Sequence, residues 1–565
     1  MSVAGIGLGP ALHDPSPIAH ASVPAGVVAA RHRVVASALA VAVIGAATLL
    51  LGLGRYPLWE PDEARHAQIA HEIVEHGTWL LPTFRGHPYQ RKPILYYWLT
   101  AAAYEVGGVQ TASARSVSAV AGLLTLLAVF AWANRTWGLR AAVMSALVLL
   151  TTIEFAVLGR YGDLNMLLTL WVTVGMLALQ HWASREGRGP GLLVATAACA
   201  LGALTKGLVA PVLVATAGLL HLWLVGRLHL LRRVEVALAG VLFAVVAVPW
   251  YVAAGLSSPG YLRELFVQQQ FHRVVGGGPG LHPEPSWFTP AAAVLAFLPW
   301  TFLLPAVLQR AGSERRDDPA MFCLLWAVVV VVAFTLPSGK LATYVLPAMP
   351  ALALVVGRYA SSLDRDEPVG REARLLRWGT GSLACLALVA PPIAFVVTGR
   401  LDGGIWLPVA RLSVVLLPFG AVLGWIAARR RWRWVAPTMV AGVLCACAVF
   451  YGRGAPLVSD VVSDAQMARA IEAADPGRRA TVIAFRTYGG SLPFYLDRPV
   501  HFVVSTRRVR HLLKRRPLVF VVTHHRHLRA FRRIPELVVW RRARHVLVAS
   551  RPPPAVDLER PDRRT

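Results

Sequence analysis

The sequence predicts a polytopic α-helical membrane protein with about thirteen transmembrane helices and a small C-terminal extracytoplasmic α/β domain. Three observations lead to this fold class. The 565 residues are 56% hydrophobic and only 15% charged, whereas ordinary soluble domains carry about 25% charged residues. Apolar runs near 20 residues, the length that crosses ~30 Å of hydrocarbon as a helix, recur along most of the chain. A polar segment with short apolar runs follows them.

The apolar runs divide the chain into thirteen candidate spans. Strand-like alternation is absent and lipid leaves no backbone group unpaired, so each run is predicted to form a helix and not a barrel strand. The division at Thr205-Lys206-Gly207 is the weakest, since only these residues separate two runs. The predicted spans are 34–53, 111–133, 139–158, 164–182, 190–205, 207–225, 234–254, 288–309, 320–336, 341–358, 376–398, 405–427 and 434–452.

Arginine is concentrated in alternate short loops between these spans. The arginine-rich loops are 134–140, 183–189, 226–235, 309–318, 357–377 and 428–434. The alternate loops 159–163, 255–287, 337–340 and 398–404 hold little arginine. Basic short loops stay in the cytoplasm. We therefore expect a multi-pass protein of the cell (inner) membrane, with a cytoplasmic N-terminus and with loop 55–92 and the C-terminal domain outside the cytoplasm.

The segment 455–565 opposes this orientation, because it carries 22 Lys and Arg against 9 Asp and Glu. Long segments cross the membrane largely regardless of charge, so the short loops weigh more. The net charge of +27 then has two sources. One is the arginine of the cytoplasmic loops, and the other is a basic surface beside anionic lipid. No nucleic-acid recognition motif accompanies this charge. Membrane lipids, and no nucleic acid, are the expected partners.

Four parts follow along the chain. Residues 1–33 and 551–565 are predicted to be disordered tails, residues 34–453 a transmembrane domain, and residues 455–550 an extracytoplasmic α/β domain. Four short apolar runs predict the strands of that last domain. They are 480–485, 499–504, 517–522 and 545–550.

The outer loop 55–110 is predicted to contain two surface helices. The first begins after Pro61, with acids in its first turn, and ends at Gly77. The second covers 93–107 and is apolar but short. Both are expected to lie along the outer membrane surface.

Motifs in and after this loop resemble those of a known family. The runs W-E-P-D-E-A-R, P-Y-x-x-K-P-x-x-Y-Y-W-L-T and A-R-S-V-S-A-V-A-G resemble the start of the ArnT-like and protein O-mannosyltransferase-like glycosyltransferases of the GT-C class. The later runs LTKG, VPWYVA, LPWTFLLP and SGKLATYVLPAMPALALV agree, so that the resemblance covers about 55–360. It implies transfer of a sugar from a polyprenyl-phosphate carrier to an acceptor outside the cytoplasm.

The resemblance assigns the family's first-loop acid to Asp62, with Glu63 beside it. A carboxylate in inverting sugar transfer takes the proton of the acceptor or orients its hydroxyl. Acids in the first turn after a proline also favour the helix dipole without any catalytic role. Asp62 is therefore the stronger catalytic candidate and Glu63 the weaker one.

The same motifs imply a site for the carrier phosphate. Lys92 matches the family's phosphate lysine, Tyr89 lies in the same motif, and Arg65, Lys340 and Tyr344 are further candidates, because a leaving phosphate needs cations and donors. Lys206 is a candidate because only four lysines occur in this arginine-rich chain, and three lie on the proposed outer face. A retained lysine suggests that a point charge is wanted. Ordinary snorkelling of basic side chains remains the alternative.

Two positions depart from the family pattern. Arg91 stands where the family often has a carboxylate, and Asn165 stands where an acid usually precedes Met166, with Asp163 two residues earlier. His282, like His272, is an interfacial or substrate-facing candidate. A metal site formed by His282 and the family's carboxylate is not expected, because Arg91 replaces that carboxylate. The five cysteines show no metal-ligand spacing. We predict a site that needs no divalent metal and no other cofactor.

These residues favour a membrane glycosyltransferase whose acceptor is a lipid such as lipid A, a glycan or a protein hydroxyl. One alternative is a transporter or flippase for a lipid-linked sugar, which would place charges at mid-span in broken helices. The charges here cluster at one rim, which favours the enzyme. A second alternative is a degenerate family member that binds the carrier without turnover, and Arg91 and Asn165 keep it open.

Overall fold

The computed structural model describes residues 25–550, except 273–282, 314–317, 400–405, 488, 497, 517, 532–533, 535–537 and 543–544. The predicted disordered tails therefore lie outside the described residues, apart from 25–33, which already belong to the first helix. That helix, α1 (Ala25–Leu50), begins before the predicted boundary at 34.

The body of the protein is a bundle of apolar helices. After α1 these are α4 (Thr111–Trp137), α5 (Leu139–Leu150), α6 (Ile153–Leu158), α7 (Leu164–Ser184), α8 (Gly191–Lys206), α9 (Val209–Leu224), α10 (Val234–Ser257), α11 (Phe288–Ala296), α12 (Leu304–Ser313), α13 (Asp318–Thr335), α14 (Met349–Ser362), α15 (Gly370–Gly399), α16 (Trp406–Arg429) and α17 (Val435–Val449). Within the described residues, eight helices are long and apolar enough to span a membrane, and four shorter apolar helices accompany them. The predicted number of about thirteen spans stays a prediction.

Two predicted spans are broken. The run 139–158 divides at Thr151 and Thr152, whose hydroxyls donate to the carbonyls of Leu147 and Val148. The run 288–309 bends by 99° between Ala296 and Trp300, where Pro299 offers no amide hydrogen to a helix. The uncertain division at Lys206 is confirmed, because α8 ends there and Gly207 has φ of 72°.

The outer loop contains both predicted helices, α2 (Asp62–His76) and α3 (Leu95–Gly107). Gly77 ends α2 in the left-handed conformation, with φ of 67°. A short antiparallel hairpin, β1 (Thr83–Phe84) and β2 (His87–Pro88), lies between the two helices. Lys92 follows this hairpin closely in the chain.

The C-terminal part forms an α/β domain with a five-stranded sheet of order β4-β3-β5-β7-β6. The four predicted runs form β3 (Thr481–Phe485), β4 (Val500–Val503), β5 (Val519–His524) and β7 (His545–Ala549). The fifth strand, β6 (Val538–Arg542), was not predicted, because its two arginines make it similar to the basic segments around it. It lies at an edge of the sheet, where charged side chains are common. The helices are α18 (Ala455–Val462), α19 (Ala465–Ala474), α20 (Ser491–Leu496) and α21 (Thr506–Arg515).

Alternate residues of β3 point to opposite faces of this sheet. Val482 and Ala484 pack with α19 and α20, whereas Ile483 and Phe485 pack with Val509 of α21. Strands β4, β3 and β5 are parallel, and β7 is antiparallel to both of its neighbours.

The C-terminal domain is attached to the outer loop through its segment 489–495. The amide of Ser491 donates to Glu60 Oε1 at 2.6 Å, and the hydroxyl of Tyr495 accepts from the amide of Leu58 at 2.7 Å. A Cβ atom on Gly490 would lie 2.6 Å from the carbonyl oxygen of Ala64, so the close approach requires glycine there. The loop and the C-terminal domain therefore share one end of the bundle.

Candidate active site

Side chains from separate parts of the chain surround a cavity at this end of the bundle. The cavity, which we call the acidic pocket, has a volume of about 280 Å³. Most of the predicted site residues line it: Asp62, Arg65, Tyr89, Lys92, Asp163, Lys206 and Tyr344. Loops 55–92 and 159–163, which the arginine pattern assigned to one side, thus meet in a single site.

Asp62 is the first residue of α2. Its carboxylate accepts a hydrogen bond from the guanidinium of Arg65, one turn later, and its side chain remains 43% exposed. The helix geometry explains the pairing, because residues three apart lie on the same face. Asp62 is thus a carboxylate that is held in place and still open to a ligand.

Glu63 has different surroundings. Arg115 of α4 binds both of its carboxylate oxygens, at 2.6 and 2.8 Å, and both side chains are 0% exposed. The amides of Trp59 and Gly162 donate to the same carboxylate at 2.7 and 2.8 Å. The predicted catalytic role of Glu63 has no support in this geometry, since no oxygen is left for a substrate. The pair instead ties the loop to the bundle.

The sequence prediction missed Arg115. It lies within the quoted run A-R-S-V-S, and it also donates to the carbonyls of Leu53 and Tyr56 at 2.7 and 2.8 Å. A lone arginine in the first turns of an apolar helix was the available signal, because such a charge needs a buried partner.

Asp163, Asn165 and Lys206 form a chain of hydrogen bonds on one wall of the acidic pocket. The amide of Asn165 donates to Asp163, and the ammonium of Lys206 donates to Asn165 Oδ1 at 2.5 Å. The same ammonium lies 4.3 Å from the ring centre of Tyr344. Burial raises the pKa of the Asp163 carboxyl, although the charge of Lys206 opposes that shift. Asn165, a departure from the family pattern, therefore connects two predicted site residues.

His66 lines the same pocket, although it was not among the predicted site residues. Its Nδ1 lies 2.8 Å from the hydroxyl of Tyr97, and its Nε2 lies 3.6 Å from Asp163. Burial holds the pKa of His66 well below its usual value, and the charges of Arg65 and Lys92 act in the same direction. The imidazole is therefore neutral at pH 7, and its approach to Asp163 is a polar contact and not an ion pair.

A second cavity joins the acidic pocket. It has a volume of about 240 Å³, and Lys92, Lys206 and Tyr344 line both cavities. Arg91 adds a third cation, and the other walls are mainly apolar side chains of α9 and α13, among them Val212, Leu213 and Phe334. We call it the cationic groove. Such a shape suits a ligand with one anionic end and one hydrocarbon end.

The remaining predicted residues lie elsewhere. Lys340 is 5% exposed and donates to the carbonyl of Glu284 at 2.7 Å, so it holds a loop and does not line either cavity. His272 lies at the end of a π-helical segment, Arg263–Phe271, and lines neither cavity. His282 lies outside the described residues.

Within the described part of the chain, no three His, Cys, Asp or Glu side chains are grouped as metal ligands would be. The resemblance places Arg91 where the family often has a carboxylate. Metal independence stays a prediction. Transfer assays with and without EDTA would test it.

Comparison with known proteins identifies the family. The model of dolichyl-phosphate-mannose-protein mannosyltransferases matches residues 38–261. The undecaprenyl phosphate-α-4-amino-4-deoxy-L-arabinose arabinosyl transferase of Aeromonas hydrophila is 31% identical over 68% of this chain and 71% of its own length. The same enzyme of Pseudomonas aeruginosa is 32% identical over 70% and 72%. The chain belongs to this ArnT-like family.

The fold agrees with that assignment. Crystal structures of ArnT from Cupriavidus metallidurans, with undecaprenyl phosphate bound and in the apo state, both match with a TM-score of 0.75 at 24% identity. The first match covers 94% of this chain and 99% of ArnT. This ArnT-like chain is therefore a multi-span GT-C glycosyltransferase that uses a polyprenyl-phosphate sugar donor. The transporter alternative is set aside.

Proposed function

We propose that this ArnT-like enzyme transfers 4-amino-4-deoxy-L-arabinose from undecaprenyl phosphate to an acceptor hydroxyl. The observation that carries the proposal is the meeting of the two cavities at Lys92 and Lys206. The cationic groove suits the phosphate and the first isoprene units of the carrier. The acidic pocket, with Asp62 on its wall, suits the sugar and the attacking hydroxyl.

The proposed chemistry is a single displacement. Asp62 accepts the proton of the acceptor hydroxyl, and the oxygen of that hydroxyl forms a bond to the anomeric carbon of the sugar. The bond between that carbon and the phosphate oxygen breaks, and the carrier leaves as polyprenyl phosphate. Lys92, Lys206 and Arg65 stabilise the negative charge that develops on the leaving oxygen.

The choice of sugar follows from the relatives' names and from the charges of the pocket. An amino sugar carries an ammonium group, which carboxylates bind well. Asp163 lines the acidic pocket and accepts a hydrogen bond from Asn165, which in turn accepts one from the ammonium of Lys206. We assign Asp163 and Asn165 to the amino group and ring hydroxyls of the sugar, and Tyr89 and Tyr344 to packing around them.

Reconstituted enzyme tests this function. With undecaprenyl phosphate-linked 4-amino-4-deoxy-L-arabinose as donor, release of undecaprenyl phosphate should depend on an added envelope-lipid acceptor such as lipid A. A mannose-bearing donor should react more slowly, because its neutral hydroxyl cannot form the ion pair that an ammonium group forms with Asp163. Equal rates with both donors would refute the sugar assignment. Binding of the carrier without release under any condition would instead favour the degenerate, non-catalytic alternative.

Replacement of Lys92 by Ala should weaken the binding of undecaprenyl phosphate about 10- to 150-fold, since a hydrogen bond to a charged group contributes ~1.5–3 kcal/mol. Lys92→Arg should recover only part of this loss, because the planar guanidinium does not reproduce an ammonium point charge. Titration of the carrier into purified protein measures both. Lys514→Ala, which changes an exposed lysine of the C-terminal domain, is the matched control. Unchanged carrier binding in Lys92→Ala would exclude this role of Lys92 in holding the carrier phosphate.

We propose that the site faces the extracytoplasmic side of the inner membrane and that the N-terminus is cytoplasmic. The support is the arginine pattern together with the attachment of the C-terminal domain to the loop. In a cysteine-free background, His87→Cys and Ser505→Cys should react with an impermeant maleimide in intact spheroplasts. Glu367→Cys, in an arginine-rich loop, should react only after lysis. The reverse pattern would invert the topology.

A further inference from the structure

The chain that leads into α2 is held by the C-terminal domain. We call residues 58–64, which include the first turn of α2, the Asp62 segment. The amide of Leu58 donates to the hydroxyl of Tyr495 at 2.7 Å, and the indole Nε1 of Trp59 donates to the hydroxyl of Ser459 at 2.8 Å. The Trp59 side chain lines the acidic pocket. The C-terminal domain therefore fixes both the path of this chain and part of the pocket wall.

Glu60 is bound through its main chain and through its side chain. Its amide donates to the carbonyl of Val462 at 3.1 Å, and its Oε1 accepts a hydrogen bond from the amide of Ser491 at 2.6 Å. These partners belong to two helices of the C-terminal domain, α18 and α20. Asp62 follows two residues later, across Pro61, whose ring restricts the backbone. Little conformational freedom therefore remains between Glu60 and the Asp62 carboxylate.

On the other side of Asp62, the C-terminal domain packs against the backbone of α2. A Cβ atom on Gly490 would lie 2.6 Å from the carbonyl oxygen of Ala64 and 2.7 Å from the amide nitrogen of Arg65. Both are backbone atoms, so a single methyl group could enter only if the first turn of α2 moved away. Asp62 and Arg65 both line the acidic pocket. Such a movement would displace both side chains within the pocket.

The start of α2 needs this support because its own sequence provides little. Pro61 precedes the helix and has no polar side chain that could cap it. Asp62 is bonded to Arg65 of the same turn, and its side chain is 43% exposed. Helix ends fray, whereas a general base must stay within hydrogen-bond reach of the proton that it takes. A displacement of about 1 Å can lower a rate about 100-fold.

We propose that the C-terminal domain is a positioning element of the active site, in which segment 489–495 holds the Asp62 segment so that the Asp62 carboxylate stays within reach of the acceptor hydroxyl. The proposal rests on the proposed transfer reaction, because it takes Asp62 as the base. The carrier phosphate is assigned to Lys92 and Lys206, which this segment does not contact. The domain should therefore control the rate of transfer and not the binding of the carrier.

Gly490→Ala should lower kcat about 10- to 100-fold, because the added methyl group displaces the first turn of α2. The Kd for undecaprenyl phosphate should stay unchanged. Gly477→Ala is the matched control, because it makes the same change in the same domain, where the new Cβ would lie 3.5 Å from the side chain of Arg479. Its kcat should equal that of the wild type. A folded, inserted Gly490→Ala protein with wild-type kcat, or with a loss confined to carrier binding, would overturn the proposal.

Tyr495→Phe tests the same role without adding bulk. It removes the hydroxyl that accepts from the amide of Leu58 and keeps the ring, so kcat should fall about 3- to 10-fold at unchanged carrier Kd. Tyr359→Phe is its control, because it removes a hydroxyl that donates to Glu372 at 3.0 Å and lines neither the acidic pocket nor the cationic groove. Equal kcat values in these two folded proteins would overturn the proposal.

Hydrogen–deuterium exchange separates the positioning role from the proposed reaction, because it needs no turnover. Peptides that cover the Asp62 segment should exchange faster in Gly490→Ala and in Tyr495→Phe than in the wild type, while peptides of α7 keep their rates. Unchanged exchange of the Asp62 segment in both variants would overturn the proposal. If the wild type transfers no sugar although both variants lose this protection, the proposed function is refuted and the hold of the domain on the Asp62 segment stands.

Discussion

Asp62→Asn should abolish sugar transfer while carrier binding persists. Asparagine keeps the size and polarity of the side chain and still accepts a hydrogen bond from Arg65, so the start of α2 is preserved. It cannot take the proton of the acceptor hydroxyl. General-base catalysis contributes typically 10²- to 10⁴-fold, and we expect a loss of kcat in that range. Donor turnover and undecaprenyl phosphate binding, measured on the same purified protein, check both halves of the prediction.

Glu105→Gln is the matched control for this substitution. It makes the same change of carboxylate to amide on α3, at an exposed position of the same outer loop. Its transfer rate should equal that of the wild type. If Asp62→Asn protein that is folded and inserted also transfers sugar at the wild-type rate, then Asp62 only stabilises the helix N-terminus and the catalytic assignment is wrong.

Arg115→Ala should be among the most destabilising substitutions at the contact between the outer loop and α4. It leaves the buried carboxylate of Glu63 without its bidentate partner and the carbonyls of Leu53 and Tyr56 without donors. Breaking a buried ion pair on one side costs about 3–5 kcal/mol. The unfolding temperature of the purified protein should fall strongly. Transfer should fall with it, because the Glu63–Arg115 pair connects the start of α2, where Asp62 lies, to α4.

The double variant Glu63→Gln/Arg115→Met should recover part of the lost stability, because it removes both charges and keeps most of the side-chain volume. Arg135→Ala, an exposed arginine near the other end of the same helix, should change the unfolding temperature little. An Arg115→Ala protein as stable as the Arg135→Ala protein would show that the pair does not anchor the loop.

The helices and most strands of the protein could be predicted from sequence because their signals are local. Apolar runs bounded by charge located the spans, and Pro61 and Gly77 located both ends of α2. The breaks at Thr151 and Pro299 were missed, since hydropathy averages over a window and does not register where a backbone hydrogen bond is lost. Strand β6 was missed because its pairing with β7, and not its own composition, makes it a strand.

The site residues show the same contrast between local signals and contacts of distant segments. Asp62, Arg65, Lys92 and Lys206 were predicted from motifs and from the rarity of lysine, and the structure brings them to one pocket. The catalytic role of Glu63 stays a prediction that this geometry does not support. Neighbours on a helix point in different directions, and only the contact with Arg115 shows that Glu63, and not Asp62, is buried. The place of His66 in the pocket depends on contacts with Tyr97 and Asp163, which lie in distant segments, and no local pattern contains them.

A structure of the protein with undecaprenyl phosphate bound tests the central claim most directly. The account predicts a phosphate oxygen within ~3 Å of the ammonium of Lys92 or Lys206, the isoprene chain along the apolar wall of the cationic groove, and the acidic pocket open beside the phosphate. A phosphate bound instead at the other end of the bundle, in the cavity lined by Arg140 and Arg433, would contradict it.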